Sequence, residues 1–172
     1  MRIAINGYGR IGRCVLRACF ERKDTADLSI VSINELADHE AISYLTKFDS
    51  THGLFPGSVD YKASDDSTCS QLLINNEKID LYNIKKIADL PWSEQNIDIL
   101  LECTGTITSK KIASKHNLAG AKKVILSNPG ESDIPAIVFG VNHQQDICKE
   151  LIISAASCTS NALIPVLSTL DK

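Results

Sequence analysis

The chain has 172 residues, of which 44% are apolar and 23% charged, and its formal net charge at pH 7 is −3. This length suits one well-buried core, and the small negative charge gives no reason to expect nucleic acid or an anionic membrane as a partner. No apolar run approaches the roughly 18–20 residues of a membrane span, and the amino terminus lacks the features of a signal peptide, so we expect a cytoplasmic protein.

Strand and helix patterns alternate along the chain. Apolar runs predict strands at 2–6, 28–34, 97–103, 122–127, 134–140 and 150–155. Amphipathic patterns predict helices at 10–22, 37–47, 108–119 and 158–170. Residues 48–88 form an insertion of short segments that contains a hairpin signal at Asn75-Asn76. The βαβ spacing predicts an α/β fold with a doubly wound, mainly parallel sheet and an inserted small β region.

The first predicted strand leads directly into a glycine-rich turn. The segment INGYGRIG has the pattern G-x-G-x-x-G at Gly7, Gly9 and Gly12, which after a strand and before a helix is typical of a Rossmann-type dinucleotide site. Gly7 would make the tight turn, Gly9 would let the backbone approach a pyrophosphate, and Gly12 would let helix and strand pack closely. The pyrophosphate would lie at the helix N-terminus. A purely structural glycine turn is the alternative.

An acidic residue follows the second predicted strand. Glu35 lies 23 positions after Gly12, where a carboxylate can bind the adenosine ribose hydroxyls. A carboxylate in this place repels a 2′-phosphate, so we expect NAD as the cofactor and not NADP. The alternative is an ordinary surface glutamate.

A second candidate site is the segment ISAASCTSNALIP, residues 153–165. Cys158 follows an apolar strand and begins a helix pattern, which is a position that stabilises a thiolate nucleophile. Ser157 and Thr159 supply hydroxyl and backbone donors that suit a phosphate or an oxyanion. The alternative is a capped helix start that contains a cysteine by chance.

The other cysteines and the histidines show no metal pattern. The six cysteines, at 14, 19, 69, 103, 148 and 158, include no C-x-x-C pair, so we expect neither a metal site nor a disulfide framework. Most of these thiols are predicted to be core residues. Among the histidines, His39 and His116 lie in helix patterns where we expect solvated neighbours.

Four segments together resemble one known family. AINGYGRIGR, ECTG, GVNH and SAASCTSNALIP, in this order and spacing, resemble the glyceraldehyde-3-phosphate dehydrogenase superfamily over essentially the whole chain. Within it, INELAD, KFDSTHGLF, DLPW and SNPGESD are similar to erythrose-4-phosphate dehydrogenase. The resemblance implies NAD-dependent oxidation of a phosphorylated aldehyde through a thiohemiacetal and a thioester on Cys158. Water would release 4-phosphoerythronate in an erythrose 4-phosphate enzyme, whereas inorganic phosphate would cleave the thioester in a glyceraldehyde 3-phosphate enzyme.

The resemblance also implies roles for individual residues. The cofactor-binding residues would be Asn6, Gly7, Gly9, Arg10, Ile11, Gly12, Glu35, Thr104, Gly105 and Ser127. The first six would hold the phosphates, and the last three would line the nicotinamide side. Ser157 and Thr159 would contact a substrate phosphate or the attacking phosphate, and Asn161 would help to fix the cysteine loop. His52 and His143 lie in family motif positions, which implies a structural role for both.

The resemblance finally implies a division of the chain. Residues 1–157 would be the NAD-binding domain, and 158–172 would be the first helix of a truncated catalytic domain. We expect that helix to be poorly anchored or to pair with another copy of the chain. The family's general-base histidine would lie downstream, so we expect the chain alone to be inactive and the parent enzyme to be a homotetramer. Two alternatives stay open: an NAD-binding module without turnover, and a redox-sensing thiol protein.

Overall fold

The computed structural model describes residues 1–64, 69–144 and 149–171, so Cys148 lies outside the described residues. Within them the strands are β1 (Arg2–Asn6), β2 (Ser29–Asn34), β3 (Phe48–Asp49), β4 (Gly53–Leu54), β5 (Val59–Lys62), β6 (Ser70–Ile74), β7 (Glu77–Tyr82), β8 (Ile99–Glu102), β9 (Lys123–Leu126) and β10 (Ile152–Ser154). The α-helices are α1 (Arg10–Glu21), α2 (His39–Lys47), α3 (Lys110–Leu118) and α4 (Cys158–Leu170). Short 3₁₀ helices lie at Lys23–Thr25 and Ile87–Asp89.

Eight of the strands form one sheet, in the order β10-β9-β8-β1-β2-β7-β6-β5. The strands from β10 to β7 are parallel to their neighbours, and β5, β6 and β7 pair antiparallel. The predicted doubly wound, mainly parallel α/β fold is therefore confirmed. The inserted region extends the sheet through β7 and adds the small separate sheet β3-β4. Chain order reverses between β1 and β8, which is where ligands bind in open parallel sheets.

The core lies on both faces of this sheet. Consecutive residues of a strand point to opposite faces, and accordingly Ile5 packs in one buried cluster with Leu16 of α1. Ala4 packs in the other cluster, with Leu100 and Trp92. Burial on both faces explains why the parallel strands read as continuous apolar runs.

The predicted hairpin is present between β6 and β7. Asn75 and Asn76 both have positive φ, at 51° and 70°. This backbone suits the tight two-residue turns that match the twist of paired strands, and asparagine tolerates it better than most residues.

The predicted strand at 134–140 is wrong. Only Ala136 forms a bridge there, to Ser154 at the edge of the sheet. Pro135 has no N–H to donate to a strand ladder, and the chain turns where Asn142 Oδ1 accepts the Val138 N–H at 2.7 Å. The apolar pattern of this segment reflects a loop that buries Ile134 and Val138.

Helix α4 lies on the outside of the molecule. None of its described residues is buried, and Leu163, Val166, Leu167 and Leu170 are all exposed. No helix in the described part of the chain has the length and apolar character needed to cross a membrane.

Candidate functional site

A cavity of about 590 Å³ opens where β1, β2 and β8 end. Of the predicted cofactor-binding residues, Asn6, Gly7, Gly9, Glu35 and Thr104 line it. Arg10, Ile11, Gly12, Gly105 and Ser127 are not among its lining residues. Half of the predicted cofactor-binding residues therefore line the cavity directly. The other half are neighbours of the lining residues in the chain or in the sheet.

The three glycines of the turn have different surroundings. Gly7 has φ +87°, and a Cβ there would lie 2.5 Å from the Thr104 nitrogen. A Cβ on Gly12 would lie 2.5 Å from the Gly7 carbonyl oxygen. A Cβ on Gly9 would meet nothing within 4 Å. Gly7 and Gly12 are thus required for packing, whereas Gly9 borders open space that a ligand can enter.

Helix α1 begins at this open space without a protein cap. Gly9 is its N-cap residue and no side chain caps the helix, so its first N–H groups keep their capacity to bind an anion. The Arg10 guanidinium is held by Asp49 Oδ2 at 2.5 Å, and the Ile11 side chain is exposed. These two residues would therefore contribute backbone N–H groups to a phosphate.

Glu35 is fixed at the edge of the cavity by backbone donors. Its Oε2 accepts the Tyr8 N–H at 2.6 Å, and its Oε1 accepts the N–H groups of Leu36 and Ala37 at 2.7 and 3.0 Å. A carboxylate has about four acceptor positions, so one remains on Oε2 for a ligand hydroxyl. The arrangement places a fixed negative charge beside the glycine turn.

An apolar wall of the cavity was not predicted. It consists of Ile84, Ile87 and Leu90, next to Lys85, and it suits the flat face of a nucleobase. The only signal in the sequence is the regular spacing of these three residues in IKKIADL after β7. That pattern resembles an ordinary amphipathic segment.

Below the cavity, at the end of β8, the buried carboxylate of Glu102 accepts several hydrogen bonds. Its Oε2 accepts from Asn6 Nδ2 at 2.6 Å and pairs with His116 Nε2 at 3.1 Å. Its Oε1 accepts from the N–H and the hydroxyl of Thr104. Burial raises the pKa of Glu102, but the bonds from His116, Thr104 and Asn6 outweigh burial and leave the pKa below its ordinary value. Glu102 is therefore an ionised carboxylate.

The expectation of solvated neighbours for His116 is wrong. His116 is fully buried, and its Nδ1 accepts the indole N–H of Trp92 at 3.1 Å. The residue lies on the inward face of α3, where a polar side chain is tolerated because both ring nitrogens have partners. Sequence periodicity could not reveal this, since those partners come from β8 and the loop before it.

The other residues expected on the nicotinamide side lie next to Glu102. Ser127 donates its N–H to the Glu102 carbonyl at 2.9 Å. Gly105 has φ +71° with nothing within 4 Å of a Cβ built there, so the loop after β8 is exposed at that point. Gly105 follows Thr104 in the chain, and the Ser127 side chain is hydrogen-bonded to Cys103. Thr104 and Cys103 both line the cavity.

Cys158 is the first residue of α4 and is exposed. The preceding loop is strained, because Ala156 has φ 59°, a conformation that costs a non-glycine residue about 1–3 kcal/mol. The Ser157 hydroxyl caps α4 by accepting the Ser160 N–H at 2.9 Å, and it lies 2.9 Å from the Thr159 hydroxyl. The hydroxyl groups of Ser157 and Thr159 thus belong to the two residues that flank Cys158 at the start of α4.

Asn161 fastens the cysteine loop from within α4. Its Nδ2 donates to the Ala155 carbonyl at 2.7 Å and to the Ser157 carbonyl at 2.9 Å. These bonds satisfy loop carbonyls and hold the strained turn in place. Because β10 is parallel to β9 and β8, the loop leaves the sheet at the same edge as the glycine turn.

The described residues provide neither a histidine partner for the Cys158 thiol nor a cluster of metal ligands. No histidine there forms a hydrogen bond with the Cys158 side chain: His116 is bound to Glu102 and Trp92, and His143 accepts the Gly140 N–H. No group of three or more described His, Cys, Asp or Glu side chains could hold a metal ion.

One comparison with known proteins bears on this site. The family model described as "Glyceraldehyde 3-phosphate dehydrogenase, NAD binding domain" matches residues 1–110. The match includes the glycine turn, Glu35 and the Glu102–Thr104 segment, and it ends before Cys158. The open space at Gly9, the uncapped N-terminus of α1 and the carboxylate of Glu35 fit NAD.

Proposed function

The chain belongs to the glyceraldehyde-3-phosphate dehydrogenase family, and from that premise we propose that it serves the oxidation of erythrose 4-phosphate to 4-phosphoerythronate. NAD is the cofactor of this family's matched domain, and when bound it supplies the acceptor for a hydride. The finer choice of substrate is supported by the four segments similar to erythrose-4-phosphate dehydrogenase, INELAD, KFDSTHGLF, DLPW and SNPGESD.

The proposed cofactor site uses the cavity as described. The N–H groups at the start of α1, beside Gly9, would hold the pyrophosphate. The remaining acceptor position of Glu35 would take a ribose hydroxyl. The wall of Ile84, Ile87 and Leu90 would contact the adenine, and Thr104, Gly105 and Ser127 would line the nicotinamide side.

Cys158 carries the proposed chemistry. Its thiolate would add to the aldehyde carbon, forming a C–S bond while the carbonyl electron pair moves to oxygen and gives a thiohemiacetal. Loss of a hydride from that carbon, a two-electron oxidation, leaves a thioester on Cys158. Water then attacks the thioester, and the acid and the thiolate are released. Ser157 and Thr159 would bind a phosphate group of the substrate beside the thiol.

The proton acceptor for Cys158 is assigned to a group outside the described residues, because no described histidine bonds to its side chain. We further propose a domain boundary between 157 and 158, with α4 as the first helix of a catalytic domain. The exposed apolar residues of α4 support this boundary, since an amphipathic helix needs a partner for its apolar face. The complete enzyme is proposed to be a homotetramer.

A cytoplasmic location is also part of the proposal. All five described cysteines are free thiols, which is the usual state in a reducing compartment.

The observation that carries the proposal is the position of the thiol. Cys158 is exposed at the N-terminus of a helix, at the sheet edge that also holds the glycine turn. Exposure and a helix N-terminus both favour a reactive cysteine.

Three other functions each have an observation in their favour. Ser157 and Thr159, with their hydroxyl groups 2.9 Å apart at the start of α4, would equally suit an attacking inorganic phosphate, as in a phosphorylating glyceraldehyde 3-phosphate enzyme. The lack of a described histidine bonded to Cys158 favours an NAD-binding module without turnover. A redox-sensing role would use the same exposed thiol.

The test is an assay of NADH formation by the complete enzyme, in which α4 is joined to its catalytic domain. The substrates are erythrose 4-phosphate and glyceraldehyde 3-phosphate, each with and without inorganic phosphate. The proposal predicts NADH from erythrose 4-phosphate without a need for phosphate, lost in Cys158→Ser and kept in the control Cys69→Ser. Phosphate-dependent NADH from glyceraldehyde 3-phosphate alone would support the phosphorylating enzyme. Binding of NAD without NADH from either substrate would support the binding module.

A further inference from the structure

A continuous line of buried hydrogen bonds connects Trp92 to the floor of the cofactor cavity. The Trp92 indole can only donate, so His116 Nδ1 must be its acceptor. A neutral imidazole then carries its proton on Nε2 and donates it to Glu102 Oε2. The bond to Trp92 thereby fixes both the tautomer and the direction of the bond to Glu102.

All acceptor positions of the Glu102 carboxylate are occupied. Two donors reach each of its oxygens: Asn6 and His116 at Oε2, and the N–H and hydroxyl of Thr104 at Oε1. None of these partners is a lysine or an arginine. The buried charge is stabilised by hydrogen bonds from groups on three different elements, so those groups hold one another in position.

The same carboxylate determines the shape of the cavity on two sides. On one side Glu102 holds Thr104, whose backbone nitrogen lies against Gly7, where a Cβ would come within 2.5 Å. On the other side Glu102 holds Asn6, whose Oδ1 accepts from Asn34 Nδ2 at 2.8 Å. Asn34 in turn binds both the N–H and the carbonyl of Ile84, at 2.9 and 3.0 Å.

Four members of this network line the cavity: Asn6, Asn34, Ile84 and Thr104. Glu102 and His116 do not line it, and both are fully buried. They therefore act on a ligand only through their partners.

We propose that Glu102 and His116 are positioning residues for NAD, which hold the glycine turn, the Thr104 loop and the Asn6–Asn34 pair in the arrangement that binds the cofactor. The inference rests on the NAD-binding part of the proposed function and is independent of the aldehyde chemistry.

Two substitutions of His116 separate its two bonds. The Oδ1 of an asparagine can take the place of Nδ1, so His116→Asn keeps the acceptor for Trp92 and loses the donor to Glu102. The amide nitrogen of a glutamine can take the place of Nε2, so His116→Gln keeps the donor and loses the acceptor. A residue that serves only the core would respond similarly to both changes.

The measurement is calorimetric titration of NAD into the full chain and both variants. We expect His116→Asn to raise Kd about tenfold, the lower end for a lost hydrogen bond to a charged group, and His116→Gln to change Kd by less than about threefold. Equal changes in the two variants, or no change in His116→Asn, would overturn the inference. If the unmodified chain does not bind NAD, the NAD-binding part of the proposed function is itself contradicted.

A second measurement needs no variant and covers the case in which the variants do not fold. Trp92 is the single tryptophan, so its indole N–H gives one assignable NMR resonance. Titration with NAD should change the chemical shift of this resonance, and the titration curve should give the same Kd as calorimetry. AMP, which lacks the nicotinamide half, should change the chemical shift less. An indole resonance that stays in place while NAD saturates the chain would overturn the inference.

Discussion

At the scale of single residues, chemistry is decided by partners that lie far away in the sequence. Cys103 and Cys158 are both thiols at the carboxyl edge of the sheet, yet burial raises the pKa of Cys103 to about 11. Cys158 is exposed at a helix start. The motif around Cys158 could be recognised from the sequence, whereas the state of Cys103 depends on packing around β8.

This difference predicts selective alkylation. At neutral pH a thiol with a pKa near 11 is ionised in only about one molecule in ten thousand, so iodoacetamide should modify Cys158 long before Cys103. Peptide mass spectrometry at increasing reaction times measures the order, and a denatured sample serves as the control. Modification of Cys103 as early as Cys158 in the folded chain would contradict the assignment.

The glycines of the turn give a second prediction. Gly9→Ala should fold with little loss of stability, because a Cβ there meets no atom within 4 Å, and should weaken NAD binding by at least about tenfold, because the methyl group occupies the space left for the pyrophosphate. Gly7→Ala should lose at least about 1–2 kcal/mol of stability through its positive φ alone. Thermal unfolding and NAD titration of both variants test this, and the reverse pattern would contradict it.

At the scale of elements, local sequence signals predicted the structure correctly where the residues themselves favour the observed backbone conformation. The glycine turn and the Asn75-Asn76 hairpin are examples, since each backbone conformation suits the residues that adopt it. The segment 134–140 shows the opposite case, because its apolar spacing satisfies a strand pattern while Pro135 and the Asn142 turn prevent one. Periodicity reports burial, and burial alone does not make a strand.

One substitution in the hairpin turn should stabilise the protein. Asn76→Gly should raise the free energy of unfolding by up to about 1 kcal/mol, because glycine adopts a φ of 70° without strain. Asn75→Gly should give no such gain, since Asn75 Oδ1 accepts the Ser58 N–H at 3.0 Å and that bond would be lost. Chemical denaturation of the two variants provides the comparison, and equal stabilisation by both would contradict this account of the turn.

At the scale of the whole molecule, the fold was largely predictable and the network beneath the site was not. The mainly parallel sheet and the glycine turn follow from the alternation of strand, turn and helix patterns along the chain. The Trp92–His116–Glu102 line joins a loop, a helix and a strand, and no periodic signal links residues on three separate elements. The apolar wall of Ile84, Ile87 and Leu90 escaped prediction for a related reason, because its residues resemble any half-buried segment.

The buried carboxylate of Glu102 makes the free energy of unfolding depend on pH. The folded-state pKa of Glu102 lies below its ordinary value of 4.5, so its stabilising contribution is complete above that pH and is lost as the pH falls through the folded pKa. Urea unfolding between pH 7 and pH 3 should show a declining free energy below about 4.5. Glu102→Gln should be less stable at pH 7 and should decline less steeply, and parallel curves for the two proteins would contradict this role.

The most direct test of the account is calorimetric titration of NAD and NADP into the chain. The account predicts saturable binding of one NAD per chain, with NADP at least about tenfold weaker because the Glu35 carboxylate repels a 2′-phosphate. Absence of NAD binding, or comparable affinity for the two cofactors, would contradict it.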